Sequence, residues 1–140
     1  MATVAGVDEV GVGALAGPVV VAAIILSPEA KIDGLADSKL LTPKRRQALF
    51  TLIRELAVGI AIGRSEAEEV DRLNVYCAAM EARRRAVAAL PIIPAHVFVD
   101  GKRRLAGIAQ TPVVGGDAYS GSIAASSIVA KVTRDSVMME

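Results

Sequence analysis

Short apolar runs rich in β-branched residues alternate along the chain with stretches of helical periodicity. Residues 4–7, 19–26 and 57–62 are such runs and predict the first three strands. A short glycine-rich turn joins the first two, which favours an antiparallel return. Later strands are reached through helical segments. We therefore expect an α/β fold whose mixed sheet combines a three-stranded antiparallel meander with parallel strands, flanked by helices.

The sequence between the strands marks where helices begin. Thr42 can cap a helix with Pro43 in its first position, and Leu49, Ile53 and Leu56 give that helix an apolar stripe. Residues 65–68 (Ser-Glu-Ala-Glu) have capping-box spacing and predict one long helix that ends at Pro91. Its predicted apolar positions are Leu73, Cys77, Met80, Val87 and Leu90.

The last third of the chain predicts two more strands and a helix. Residues 97–99 form a short apolar run that ends at Asp100, and residues 112–114 form another. The loop 115–117 leads to a final helix that begins near Ser120 or Ser122.

Composition limits the class of protein. With 140 residues, 53% of them hydrophobic, the chain can form one core, so we expect a single domain over residues 1–140. The single cysteine, Cys77, excludes an internal disulfide, and we expect it to lie in the core of a cytoplasmic protein. No apolar run is long enough to span a membrane, and no signal peptide is evident.

Charge does not decide whether the chain binds nucleic acid. The formal net charge is only +1, but basic runs occur at residues 44–46, 83–85 and 102–104. Each could contact phosphates, although such runs are more often solvated helix faces or loops. The aromatic content of 3%, without tryptophan, argues against a stacking platform for single strands.

Two adjacent acids, Asp8 and Glu9, end the first predicted strand. Burying an unpaired carboxylate is costly, so they indicate a bound cation or a proton transfer; a solvated strand end is the alternative. Because neighbouring strand residues point to opposite faces, Glu9 would share the target of Asp8 only where the strand ends, or through its backbone carbonyl. Asp100 ends another strand, and the two aspartates would meet if those strands are parallel neighbours.

Asp135 is a fourth candidate acid. It shares helical spacing with Ile128, Val132 and Met139, which predicts that it faces the sheet. The alternative is an ion pair with Lys131, one helical turn earlier.

Together, Asp8, Glu9, Asp100 and Asp135 predict a divalent-metal site, since converging acids without a matching base would repel one another. Hard oxygen donors select Mg²⁺ or Mn²⁺, and two such ions can activate a water and stabilise the leaving oxygen of a phosphodiester. This chemistry predicts metal-dependent hydrolysis of nucleic acid. The turn 11–16 also matches a glycine-rich dinucleotide pattern, but no helix is predicted to start within it, which argues against that interpretation.

Several short motifs along the whole chain match those of a known enzyme family, and they occur in the same order as in that family. They are residues 5–9 (AGVDE), 15–20 (LAGPVV), 37–39 (DSK), 73–74 (LN), 99–101 (VDG), 116–117 (GD), 122–125 (SIAA) and 127–135 (SIVAKVTRD). In these motifs the chain resembles bacterial ribonuclease HII.

The resemblance implies a ribonuclease H-like fold that binds Mg²⁺ or Mn²⁺, two ions with substrate, through Asp8, Glu9, Asp100 and Asp135. It implies hydrolysis of the RNA strand of RNA/DNA hybrids and nicking 5′ of ribonucleotides embedded in duplex DNA, which leaves a 3′ hydroxyl and a 5′ phosphate. The residues it implies along the bound duplex are Gly11, Val12, Gly13, Ser38, Lys39 and Asn74.

The chain departs from the family pattern in three places. Val12 stands where the family usually has arginine, and Gly115 where it usually has lysine, so we expect weaker substrate binding and junction choice. The chain also ends at Glu140, before a family segment with a Lys-Gly-Tyr motif. We expect that segment to be absent, apolar surface to be exposed for self-association, and activity to be weak. A non-catalytic hybrid-binding remnant and a structural or oligomeric core are the alternatives.

Overall fold

A computed structural model describes residues 4–11, 17–27, 32, 41–100, 110–113 and 120–139, without the side chains of residues 99–100, 110–113 and 120–121. Its elements are β1 (Val4–Val10), β2 (Val19–Leu26), α1 (Pro43–Leu56), β3 (Ala57–Ser65), α2 (Ala67–Leu73), α3 (Val75–Ala88), β4 (His96–Asp100), β5 (Gln110–Val113) and α4 (Ser120–Met138). None of the helices in these ranges is long and apolar enough to cross a membrane.

The five strands form one sheet in the order β3-β2-β1-β4-β5. β2 runs antiparallel to both β1 and β3, whereas β4 is parallel to both β1 and β5. This arrangement confirms the predicted α/β fold, with its antiparallel meander followed by parallel strands.

Helices cover both faces of the sheet. One face packs against α3, and the opposite face packs against α1 and α4. β2 lies between the two layers: Val21 and Ala23 join the α3 side, while Ala22 and Ile24 join the other. This double burial explains why β2 is apolar at every position rather than alternating with polar residues.

α1 begins where the sequence predicts. Thr42 is its N-cap, the Thr42 Oγ1 accepts a hydrogen bond from the Arg45 backbone N–H at 3.2 Å, and Pro43 is the first helical residue. Leu49 and Ile53 are buried as predicted, but Leu56 is 43% exposed. Leu56 ends the helix where the chain passes into β3, at the edge of the sheet.

The capping box after β3 forms one residue later than predicted. Glu66 is the N-cap of α2, and the Glu69 carboxylate accepts the Glu66 backbone N–H at 3.2 Å. Ser65 instead ends β3; it is fully buried, and its hydroxyl donates to the Ala78 carbonyl at 2.7 Å. Ser65 therefore serves as a buried strand residue rather than as the N-cap that the local spacing predicts.

The predicted single helix after β3 is broken in two at Asn74, which has φ 69° and ψ 163°. Cys77 is exposed, so the prediction that it lies in the core is wrong. α3 starts anew at Val75, and its buried face is set by the small residues Ala78 and Ala82 rather than by the periodicity of α2.

Candidate metal centre

Asp8 lies inside β1 rather than at its end, because the strand continues to Val10. It is half-buried, and its Oδ1 accepts the backbone N–H of Glu9 at 2.9 Å. Two residues earlier, the first turn of α4 crosses the sheet so closely that a Cβ at Gly6 would lie 2.5 Å from the carbonyl carbon of Ser122. Because Gly6 and Asp8 share a face of the strand, Asp8 lies on the α4 side of the sheet.

The backbone of Asp100 lies beside that of Asp8. β1 and β4 are parallel neighbours with Val7 in register with Val99, so Asp8 and Asp100 are the next residues along the two strands. Adjacent strands lie about 4.8 Å apart. The predicted condition for these two acids to meet, that their strands are parallel neighbours, is thus fulfilled in the backbone. The structure describes the backbone of Asp100 but not its side chain.

The side chain of Glu9 turns to the other face of the sheet. Its carboxylate is held by Arg83 of α3, whose Nε donates to Oε2 at 3.1 Å and whose Nη2 donates to Oε1. The two side chains are only 17% and 8% exposed. Alternation along β1 and the contact with Arg83 together keep the Glu9 carboxylate on the face opposite Asp8. Participation of Glu9 through its backbone carbonyl stays a prediction.

Asp135 makes an ion pair within α4. Its Oδ1 lies 2.9 Å from the Nζ of Lys131, and its side chain is 49% exposed in a cleft that Pro43 and Arg46 of α1 also line. Ser122 packs at Gly6, and Asp135 follows 13 residues later, about 20 Å along the helix.

The predicted sheet-facing stripe of α4 therefore needs correction. Ile128 is buried and Val132 is partly buried against the same cluster, but Met139 follows the last residue of the helix and is 87% exposed. Among the described side chains, no group of three or more histidines, cysteines or acids could hold a metal ion. Asp8, Glu9 and Asp135 thus do not form one cluster.

Of the predicted substrate contacts, the structure describes Gly11 and Asn74; Val12, Gly13, Ser38 and Lys39 lie outside the described residues. Gly11 has φ +110°, and a Cβ there would lie 2.7 Å from the Pro18 carbonyl oxygen and 2.8 Å from the Arg134 Nε. The same Nε donates to the Pro18 carbonyl at 2.9 Å. Glycine is therefore required at position 11, where the chain leaves β1.

Asn74 is first of all a helix cap. Its Oδ1 accepts the backbone N–H groups of Tyr76 and Cys77 at 3.0 and 3.1 Å, at the start of α3. Its backbone dihedrals lie in a region that is normally restricted to glycine, so the surrounding structure must hold it there. A contact with the duplex stays a prediction for this residue.

Replacing Asn74 separates these two contributions. Asn74→Ala removes the cap and keeps the strained backbone, so we expect the free energy of unfolding to fall by about 1–3 kcal/mol. Asn74→Gly also removes the side chain but relieves the strain, so it should cost less. Urea denaturation of both variants measures the difference, and an equal loss in the two would contradict the strain.

The basic run 83–85 is committed to acids. Arg83 pairs with Glu9, Arg84 with Glu81, and Arg85 with Glu69 at 2.7 Å. The hydrogen bonds from Arg85 lower the pKa of the Glu69 carboxyl to about 2. This run therefore offers little free charge to phosphates.

The other basic runs differ. Lys44 and Arg45 of the run 44–46 are exposed at the start of α1, and the run 102–104 lies outside the described residues. The sequence does not predict the burial of Arg83 or its contact with Glu9, because nothing in a run of three arginines indicates which one is buried.

Comparison with known proteins identifies relatives along nearly the whole chain. The family model for ribonuclease HII matches residues 5–140. The ribonuclease HII of Geobacillus thermodenitrificans is 51% identical over 137 residues, which cover 98% of this chain and 53% of the relative. That of an Azoarcus species is 50% identical over 136 residues, covering 96% of this chain and 67% of the relative. The chain spans about half the length of the first relative and two thirds of the second.

Solved structures share the fold. Ribonuclease H2 from Pyrococcus horikoshii superposes with a TM-score of 0.82 at 28% identity, covering 98% of this chain and 74% of that one. Bst-RNase HIII in complex with Mn²⁺ superposes with a TM-score of 0.76 at 23% identity, covering 99% and 53%, a likeness that shows the fold alone. By sequence and by its ribonuclease H-like fold, this chain belongs to the ribonuclease HII family.

Proposed function

We propose that this chain is a metal-dependent endonuclease that hydrolyses the RNA strand of RNA/DNA hybrids and nicks 5′ of ribonucleotides embedded in duplex DNA. The observation that carries the proposal is the pair Asp8 and Asp100 on neighbouring parallel strands, in a chain of the ribonuclease HII family. Ligand sites gather where parallel strands end in open α/β sheets.

The chemistry of this pair fits Mg²⁺ or Mn²⁺. Carboxylate oxygens are the donors that hard divalent ions prefer, and a divalent cation offsets the repulsion between two neighbouring carboxylates. Asp8 and Asp100 would hold the metal, and when bound it supplies an activated water and stabilisation of the leaving 3′ oxygen. Bst-RNase HIII, which shares this fold, has been solved in complex with Mn²⁺.

Other residues of this chain hold the site in place. The Glu9 backbone N–H donates to Asp8 Oδ1 and so fixes the orientation of that carboxylate. Arg134, through its hydrogen bond to the Pro18 carbonyl, joins α4 to the residue before β2. Gly11 lets the end of β1 lie close to the Pro18 carbonyl, and we propose that the sugar of the substrate binds beside Gly11. Val12 adds no positive charge to this contact, so we expect weak discrimination of the ribonucleotide junction.

A hybrid-binding protein without turnover is the second candidate. It is favoured by Val12 in place of the usual arginine, and by the capture of Glu9 by Arg83. This candidate predicts binding of a hybrid duplex at low salt without cleavage under any metal condition.

Metal removal tests the proposed function. The substrates are a labelled DNA duplex with one ribonucleotide and a longer RNA/DNA hybrid, each incubated with Mg²⁺, Mn²⁺ or EDTA. We expect cleavage with metal, a loss of at least about a hundredfold in EDTA, and recovery when metal is restored. Cleavage that persists in EDTA would contradict metal dependence, and binding without cleavage would favour the second candidate. The ratio of the rates on the two substrates, compared with the same ratio for Val12→Arg, measures what Val12 costs.

A further inference from the structure

Arg83 is a buried arginine with a specific partner. It is 7% exposed on α3, in the layer where Ala79, Ala82 and Ala86 pack against the sheet. A guanidinium is rarely buried unless it is paired, and here both Nε and Nη2 donate to the two carboxylate oxygens of Glu9. This two-point contact fixes both the position and the plane of the carboxylate.

The pair lies on the face of the sheet that the candidate metal centre does not use. Ala5 and Val7 of β1 belong to the core cluster under α3, and Glu9 continues that side of the strand. Gly6 faces Ser122 of α4, and Asp8 continues the opposite side. For Glu9 to bind an ion held by Asp8, its side chain would have to break both hydrogen bonds and leave a buried guanidinium unpaired.

We propose that Arg83 is a positioning residue that withholds the Glu9 carboxylate from a metal ion held at Asp8 and Asp100. The inference rests on the proposed metal site. Affinity for a hard cation rises with the number of negatively charged ligands, so keeping one carboxylate away lowers it. Without Arg83, the Glu9 side chain is no longer held under α3 and can turn toward the end of β1.

Mn²⁺ affinity of the full chain, measured by electron paramagnetic resonance of the free ion, tests this role without a cleavage assay. We expect Asp8→Asn to weaken binding at least about tenfold and Glu9→Gln to change it less than about twofold. Arg83→Met should tighten binding by about three- to tenfold, because the carboxylate is released. In the double variant Glu9→Gln/Arg83→Met, the gain should disappear. Arg84→Met, which removes a charge from the exposed side of the same helix, is the matched control and should leave affinity unchanged.

Three outcomes would overturn the role of Arg83. A loss in Glu9→Gln as large as that in Asp8→Asn would show that the Glu9 carboxylate is already a ligand. A gain that persists in the double variant would assign the effect to the lost positive charge alone. An unchanged affinity in Asp8→Asn would overturn the metal site, and the proposed function with it. If circular dichroism shows that Arg83→Met does not fold, the comparison of Glu9→Gln with Asp8→Asn decides alone.

Discussion

Asp8→Asn and Asp100→Asn should each lower kcat/KM for Mg²⁺-dependent cleavage by at least about a hundredfold. Asparagine keeps the size of the side chain but removes the negative charge that binds the ion. The two positions are adjacent on parallel strands, so either change removes half of the proposed carboxylate pair. Single-turnover cleavage of the duplex with one ribonucleotide measures the loss, and circular dichroism verifies that each variant is folded.

Asp135→Asn is the matched control for these two variants. This carboxylate pairs with Lys131 on the exposed side of α4, so its removal should change cleavage less than about threefold. Unchanged cleavage in both Asp8→Asn and Asp100→Asn would contradict the proposed site. A loss in Asp135→Asn as large as theirs would instead restore the predicted participation of Asp135.

Asp117→Asn is a useful fourth variant. Asp117 lies outside the described residues, but the elements before and after it are described: β5 ends at Val113, and α4 begins at Ser120 and packs on Gly6 near Asp8. A large loss in Asp117→Asn, with little loss in Asp135→Asn, would add the Asp117 carboxylate to the proposed pair of Asp8 and Asp100, and an unchanged rate would leave the pair alone.

Of the two glycines in β3, Gly63 should be the one whose replacement by alanine is more destabilising. A Cβ at position 63 would lie 2.1 Å from the Ala82 carbonyl oxygen and 2.4 Å from the Ala86 backbone nitrogen. These are backbone atoms of α3, so the helix itself would have to move away from the sheet. We expect the free energy of unfolding to fall by about 3 kcal/mol or more, and the Tm by roughly 10 °C.

Gly59→Ala on the same strand is the control for this change. A Cβ at position 59 would have Ile25 Cδ1 at 3.4 Å and Pro91 Cδ at 3.5 Å, which are ordinary contacts. This variant should be within about 1 kcal/mol of the parent, since alanine also reduces the freedom of the unfolded chain. Thermal and urea denaturation of both variants give the comparison, and equal losses at the two positions would contradict the close approach of α3.

Local signals predicted many of the elements, with limits that have physical causes. β2 and α1 were placed correctly, because a continuous β-branched run and a Thr-Pro helix start act through near neighbours in the chain. The break at Asn74 was not predicted. Its glycine-like backbone is unfavourable locally and is held by the packing of the chain around it, so no spacing of apolar residues reveals it.

The sequence by itself determined the family, the alternation of strands and helices along the chain, and the acids near the ends of β1 and β4. Only the tertiary structure decided that β1 and β4 are parallel neighbours and what the side chains of Asp8 and Glu9 face. Alternation along β1 sends Asp8 toward α4 and Glu9 toward α3, where it meets Arg83 from 74 positions away in the chain. The reason is that strand and helix signals depend on adjacent residues, whereas an ion pair depends on which helix packs on which face of the sheet.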